Sequence, residues 1–298
     1  MRQAIESALA QTVQVEVIVV DDGSTDETAA LAPKFGDQIT YIRQQNAGPS
    51  AARNTALAAA EGSLIQLLDA DDELYPDYLE RMIESVEREP DASVFTASWD
   101  EIDASGAVTG RVEAAPWPQD TFHALFDPML VGPPSRYLLR RAAIDKAGFF
   151  DPAMPACEDW DVWVRMAAAG CRFVAVPKAR VRYRSHPGSR SKHYPMMWAS
   201  GKRQLENAAR MHRKCPICAR VRAQGVARWR EWCYVSMLAP RLRSQLDQHN
   251  YLGAVRQSLS ALATDPKLVL FLLRLARARG YAIRSAADPS EQHRDRRA

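Results

Sequence analysis

The side chains best suited to chemistry are acidic and fall in three clusters: Asp21-Asp22, Asp69-Ala70-Asp71-Asp72 and Glu158-Asp159-Trp160-Asp161. Carboxylates two residues apart at the end of a strand point the same way and can share one cation. Asp69 and Asp71 have that spacing, directly after the apolar run Ser63 to Leu68. A hard divalent ion, Mg²⁺ or Mn²⁺, takes such oxygen ligands and completes its shell with phosphate oxygens. A plain polar turn after a buried strand would have the same composition. Asp21 and Asp22 follow a second apolar run, Val15 to Val20. A carboxylate there can accept hydrogen bonds from a base N–H or from ribose hydroxyls, while Gly23 permits a tight exit and Ser24 to Asp26 cap the next helix. In the third cluster, Asp159 is placed to act as a general base that takes the proton from an attacking hydroxyl. Acids in a first helical turn are also favoured by the helix dipole, by about 0.3–1 kcal/mol each, so helix capping alone would explain the pair.

Two further stretches bear on a site. Asn46 to Asn54 is a loop that runs into a helix, and its amides, Gly48 among them, suit a phosphate or the rest of a nucleotide. Arg53 and Asn54 can serve that ligand or tie the loop down. His186, in Arg182-Tyr-Arg-Ser-His186, offers a metal ligand late in the chain, although a lone histidine is more often structural or solvent-facing.

The elements that must position these residues alternate through the first two-thirds of the chain. Strands are expected at 15–20, 39–42 and 63–68, and helices from Asp26, over 49–60 and over 76–88. This βαβα rhythm implies an α/β fold, a mostly parallel Rossmann-like sheet with helices on both faces, where ligands bind at strand carboxyl ends. Further strands are expected at 93–97, 108–112, 136–139, 173–176 and 181–184, with a helix over 158–169. Beyond Pro195 the pattern is helical to about residue 282. The expected organisation is an α/β domain over 1–192, an all-helical region over 193–285 and a disordered tail over 286–298.

Composition narrows the function classes. The chain has 298 residues, 47% hydrophobic and 25% charged, with a net charge of +3. Residues 1–200 carry a balance of −10 and residues 201–298 one of +13. No apolar run approaches the roughly 18–20 residues needed to span a bilayer, and the start lacks the apolar core of a signal peptide, so a cytoplasmic location is expected. The basic helix Lys267 to Arg279 suggests packing or peripheral contact with an anionic membrane surface. No motif points to nucleic acid. The five cysteines, 157, 171, 215, 218 and 233, do not form a secreted disulfide framework. Cys215-Pro-Ile-Cys218, preceded by His212, has half the spacing of a zinc site, but no second cysteine pair follows to complete it.

Taken together, Val19-Val-Asp-Asp-Gly-Ser-Thr-Asp26, Asn46-Ala-Gly-Pro-Ser-Ala-Ala-Arg-Asn54, Leu68-Asp-Ala-Asp-Asp72, Gly148-Phe-Phe-Asp151 and Glu158-Asp-Trp-Asp161 resemble, in order and spacing, the family 2 glycosyltransferases of the GT-A fold. The resemblance spans about residues 1–190. It implies that Asp21 and Asp22 hold the nucleoside side of a nucleotide-sugar donor, UDP-linked by expectation. It makes Asp69 and Asp71 a metal-binding DxD pair, Asp159 the base of an inverting transfer, and His186 a match to a position that reaches the metal in some members. Gly48, Arg53, Asp69, Glu158 and Trp160 are then expected on the donor or acceptor, with a glycan or lipid-linked acceptor and a role in cell-envelope polysaccharide synthesis. Members normally begin with a strand carrying Pro-x-Tyr/Phe-Asn ahead of a helix like Arg2 to Gln11. This sequence starts within that helix, so the sheet is expected one strand short. A nucleotidyltransferase shares the fold type and an acidic metal site, but its Gly- and Lys/Arg-rich phosphate loop is not in the sequence. A non-catalytic sugar-nucleotide-binding protein is the other alternative.

Overall fold

A computed structural model of the chain describes residues 1–31, 34–186, 188–212 and 214–268. The expected helix end at 269–282 and the tail at 286–298 lie outside the described residues. The chain divides into two compact units, Met1–Trp229 and a second from Arg230 onward.

The first unit opens with helix α1 (Arg2–Leu9), strand β1 (Ile18–Asp22), the short α2 (Thr28–Leu31), β2 (Thr40–Gln44) and α3 (Pro49–Ala59). β1 and β2 pair in parallel and form a two-stranded sheet of their own. α3 starts where Pro49 takes the first helical position, for which its fixed φ and missing N–H are suited. Ile5, Phe35 and Ile39 form a small core with Val17, Val19, Leu31 and Tyr41.

The larger sheet has six strands: β3 (Leu64–Gln66), β4 (Glu73–Leu74), β5 (Val94–Ile102), β6 (Val108–Val112), β7 (Tyr137–Arg140) and β8 (Phe173–Arg184). Their order is β3-β7-β5-β8-β4, with β6 added on β5. Only β5 and β8 run parallel within it, the other pairings being antiparallel. The sheet is therefore mixed: β6 returns on β5 through a short turn, and β7 returns antiparallel after the longer segment that includes the helix Thr121–Ala124.

β5 is the centre of the core: Val94, Phe95, Ala97 and Ile102 are fully buried. Helix α4 (Tyr78–Arg88) lays Tyr78, Leu79, Met82 and Val86 against this sheet, a spacing that keeps one helical face apolar. Each such side chain contributes roughly 1.5–3 kcal/mol through burial. β8 is one strand of 12 residues, although Pro177 interrupts its apolar pattern. It continues through a register shift: Ala97 faces Val176, whereas Ser98 faces Arg180. The Ser98 hydroxyl ties down the intervening loop by donating to the Pro177 carbonyl at 3.0 Å.

Helices α5 (Thr121–Ala124), α6 (Arg141–Ala147), α7 (Glu158–Ala168), α8 (Tyr194–Met211) and α9 (Pro216–Cys233) complete this part of the chain. α8 and α9 pack close: Gly201 leaves room for the Trp229 indole, and Gly225 sits against the Phe126 carbonyl, where an added Cβ would collide. The second unit holds the end of α9, a π-helical segment (Tyr234–Leu238), α10 (Ala239–Asp247) and α11 (Tyr251–Thr264). An ion pair between Arg230 and the buried Asp265 closes it.

Candidate active site

The three acidic clusters occupy different environments. Asp21, at the end of β1, is 2% exposed and fully engaged. Its carboxylate accepts from the Ser24 amide at 2.8 Å and the Tyr41 hydroxyl at 2.6 Å, and pairs with Arg43 at 3.2 Å. Burial opposes its ionisation, but the Tyr41 and Ser24 hydrogen bonds and the Arg43 charge outweigh burial and lower its pKa. Asp22 reaches across to the loop before α3. It accepts from Gln44 at 2.8 Å, from the Ala47 amide at 2.9 Å and from the Gly48 amide at 2.7 Å. Gly48 holds φ 87° and ψ 167°, a region essentially restricted to glycine, and this aims its N–H at Asp22. The pair therefore builds the mouth of the β1–α3 crevice as much as it lines it.

The Asp69–Asp72 turn is held from several sides. The Asp69 amide donates to the Ser135 hydroxyl at 3.0 Å, and Ser135 Oγ donates to Asp72 at 2.6 Å. Asp72 is fully buried and also accepts from the Arg184 amide at 2.9 Å. Burial first, and the Asp69 charge next, push its carboxyl up to about 8. Arg184 adds a hydrogen bond from Nε to the Asp71 carbonyl at 2.9 Å and an ion pair with Glu73. With its backbone clamped in this way, the turn leaves Asp71 half-exposed, 3.5 Å from His186 Nε2.

Arg53 joins this turn to the third cluster. From α3, one guanidinium nitrogen meets Asp69 at 2.8 Å and another meets Glu158 at 2.7 Å. The same group lies over the Phe150 ring at 5.4 Å. Burial works against its charge, but Asp69, Glu158 and Asp159 together raise its pKa further. Cys157, the residue before α7, takes the left-handed conformation at φ 59°. That conformation is strained for any residue but glycine, and here it sets the angle at which Glu158 and Asp159 enter the site. Asp159 is pushed up to about 7, by burial first and the Glu158 carboxylate next, with Arg53 pulling the other way. A carboxyl poised near neutrality suits proton transfer at physiological pH.

Asp69, Glu158 and Arg53 thus meet in one constellation with Asp159 beside it, and Asp71 meets His186. Trp160 does not join them. It is 2% exposed and turns inward, its indole N–H donating to the Leu125 carbonyl at 2.7 Å. Successive helical side chains diverge by about 100°, so Trp160 leaves the face that carries Asp159 and packs towards Leu125. Sequence reasoning missed Ser135, Arg184 and Arg190, whose guanidinium lies 3.8 Å from Glu158. The alternation Arg180, Arg182, Arg184 along a strand was the available signal for an arginine row on one face, which ends with Arg184 on the acidic turn.

Asp71 and His186 offer one oxygen and one nitrogen at a separation that two ligands of one cation can adopt, so this pair fits a divalent metal. Arg53 already holds one oxygen of Asp69. Among the described residues, the donors of Asp69, Asp71 and His186 are not gathered as closely as a second, sulfur-containing group elsewhere.

Comparison with known proteins bears on the family and the fold. The glycosyl transferase family 2 model matches residues 1–148, and this chain carries a domain of that family. The succinoglycan biosynthesis protein ExoO of Rhizobium meliloti (strain 1021) is 34% identical over 203 residues, covering 64% of this chain and 58% of that protein. An uncharacterized glycosyltransferase of Rickettsia felis is 28% identical over 198 residues, covering 64% of this chain and 33% of that protein. The chain therefore spans between about a third and three-fifths of the length of these relatives. The crystal structure of S. aureus TarS 1–349 in complex with UDP-GlcNAc superposes with a TM-score of 0.56 at 16% identity, covering 90% of this chain and 78% of that one. At that identity the likeness concerns the fold, which is the α/β fold of the GT-A type.

Proposed function

We propose that the chain transfers a sugar from a nucleoside-diphosphate-sugar donor to a hydroxyl of a glycan or lipid-linked acceptor, with inversion and with the help of Mn²⁺ or Mg²⁺. The observation that carries this reading is the double ion pair of Arg53, which brings the Asp69–Asp71 turn beside the Glu158–Asp159 helix start. The donor is assigned as UDP-linked because S. aureus TarS, of similar fold, is described with UDP and with UDP-GlcNAc. A glycan acceptor is supported by ExoO and ExoU, both described as succinoglycan biosynthesis proteins.

In this mechanism Asp71 and His186, with the remaining oxygen of Asp69, would hold the divalent ion. Once bound, that ion would neutralise the charge developing on the departing nucleoside diphosphate. The N-terminal end of α3 faces the donor, while the Ala47 and Gly48 amides stay on Asp22, which keeps that loop closed. Asp159 removes the proton from the attacking hydroxyl. Glu158, already paired with Arg53, holds the geometry and takes no proton. Among the described residues no helix is long and apolar enough to cross a membrane. Peripheral contact with an anionic membrane is supported by the basic balance after residue 200 and by Leu252, Val255 and Leu259, all exposed on α11.

The deciding experiment is donor hydrolysis and transfer with UDP-sugars, with and without metal, on the intact chain. Metal-dependent turnover supports the enzyme. Nucleotide binding without turnover under any acceptor or metal would leave only a binding protein.

A further inference from the structure

The described residues bring together one group of possible metal ligands far apart in sequence: His123, His212, Cys215 and Cys218. Each offers one ligand atom, and the four atoms all lie within 4.8 Å of one another. His123 comes from α5, His212 ends α8, and Cys215 and Cys218 open α9. All four belong to the first compact unit. The half-motif of His212, Cys215 and Cys218 had no partner along the sequence, and the fold supplies one from 92 residues earlier.

The geometry around His123 is that of a ligand. Its Nδ1 lies 2.7 Å from Asp120 Oδ2, which fixes the proton on that nitrogen and leaves the Nε2 lone pair facing the cluster. Nε2 is 3.3 Å from Cys215 Sγ and 3.3 Å from Cys218 Sγ. The two sulfurs also hydrogen-bond to each other, so Nε2 and both Sγ atoms converge on one point, and a single ring nitrogen cannot accept well from two thiols. A cation between the three atoms satisfies all of them. With Zn–N near 2.0–2.1 Å and Zn–S near 2.3 Å, tetrahedral coordination places nitrogen and sulfur about 3.5 Å apart, close to what is seen. The Cys218 and Ile217 amides donate towards Cys215 Sγ, and the Cys215 amide donates to the His212 carbonyl at 2.9 Å, winding the backbone round the sulfur. His212 lies against Phe122, tilted by 38° with 4.2 Å between centroids, which holds its ring beside α5. Cys218 is 3% exposed.

We propose that His123, His212, Cys215 and Cys218 form a structural zinc site, oriented by Asp120, that fastens α5 to the turn between α8 and α9. Two nitrogens and two sulfurs select zinc over the hard cations suited to the Asp69–Asp71 turn. Four protein ligands close the shell, leaving no position for substrate. The site anchors the segment whose Leu125 carbonyl receives the Trp160 indole N–H, one residue beyond Asp159.

The test uses the full chain with no affinity-tag histidines, purified from zinc-supplemented medium and measured for metal by mass spectrometry. The wild-type protein should carry one zinc per chain, and so should Asp71→Asn and Cys171→Ser. Cys215→Ser/Cys218→Ser should carry none. Replacing zinc with Co²⁺ should give intense tetrahedral d–d bands and a near-ultraviolet thiolate charge-transfer band, both absent in the double variant. Asp120→Ala should still bind, with affinity weaker by about 10–100-fold, as expected for loss of a partner that orients a ligand. The chelator-stripped wild-type chain provides a control that does not depend on the variants folding: it should take zinc back to one equivalent. Metal-free wild-type protein that takes up no zinc or cobalt overturns the proposal, as does a double variant that keeps a full equivalent. Loss of zinc in Asp71→Asn overturns it as well, since the metal would then belong to the acidic turn.

Discussion

The acidic turn at Asp69–Asp71 and the histidine–cysteine group at 123 and 212–218 are opposites in construction. The first is written in three consecutive positions and is half-open, its side chains shared with Arg53 and His186. The second is assembled from two distant stretches and runs from the buried Cys218 out to the exposed His212. An exchangeable ion that must meet phosphate needs an open shell of oxygens, and a permanent one needs a shell closed by the protein. Short-range spacing announces the first kind and is nearly silent about the second.

The strongest way to break this contrast is at Asp159. Asp159→Asn should keep metal and donor binding yet lower transfer by roughly 10²–10⁴-fold, with Glu158→Gln costing less. Side-by-side rates with a working donor and acceptor decide it, and the reverse order of damage would move the base to Glu158. Because a base works only when deprotonated and this carboxyl is pushed up to about 7, the wild-type kcat/KM should fall as pH drops below about 7. An acid limb near 4 would show that Asp159 titrates as an ordinary carboxylate.

Asp71→Asn comes next. It should weaken nucleoside-diphosphate binding in Mn²⁺ by at least the roughly 10–100-fold seen when a metal site loses a supporting partner. Calorimetry with unchanged affinity would remove the cation from this turn. Gly48→Ala tests the mouth of the crevice in isolation. An added Cβ there meets nothing within 4 Å, so only the backbone conformation resists. The expected cost is about 1–3 kcal/mol in denaturant unfolding, and a neutral result would mean the loop can relax. The smallest effect concerns the second unit: the chain should sediment with anionic vesicles at low salt and be released as salt rises. Leu252→Ser/Leu259→Ser should reduce that retention, and indifference to vesicles at low salt would dismiss the membrane.

Much of the scaffold was legible because it is local. Pro49 after Gly48 announces a helix start, and the observed helix runs from Pro49 to Ala59. The Ser105-Gly106 turn announces β6 at Val108–Val112. The acidic clusters stood out because each follows a strand or opens a helix. What escaped depends on distant partners. Nothing near Arg53 shows that it will bind both Asp69 and Glu158, 16 and 105 residues away. Trp160 reads as part of the acidic motif, yet the Leu125 carbonyl and the core claim it. The mixed sheet escaped because strand direction depends on how β6 and β7 return, which an apolar run does not record.

The register shift in β8 has a consequence for the handedness of the whole arginine row. Between the pairs Ala97–Val176 and Ser98–Arg180, β8 takes three more residues than β5. Three is odd, and side chains alternate faces at every residue. Straight pairing without that detour would set Arg180 opposite Glu101 and turn Arg180, Arg182 and Arg184 to the other side of the sheet together. Glu73 and the Asp71 carbonyl would then lose their cations at a stroke, and Asp100 would keep only Arg111. The Pro177–Ala179 detour thus acts as a parity setting, deciding from one small loop which face of the sheet carries positive charge.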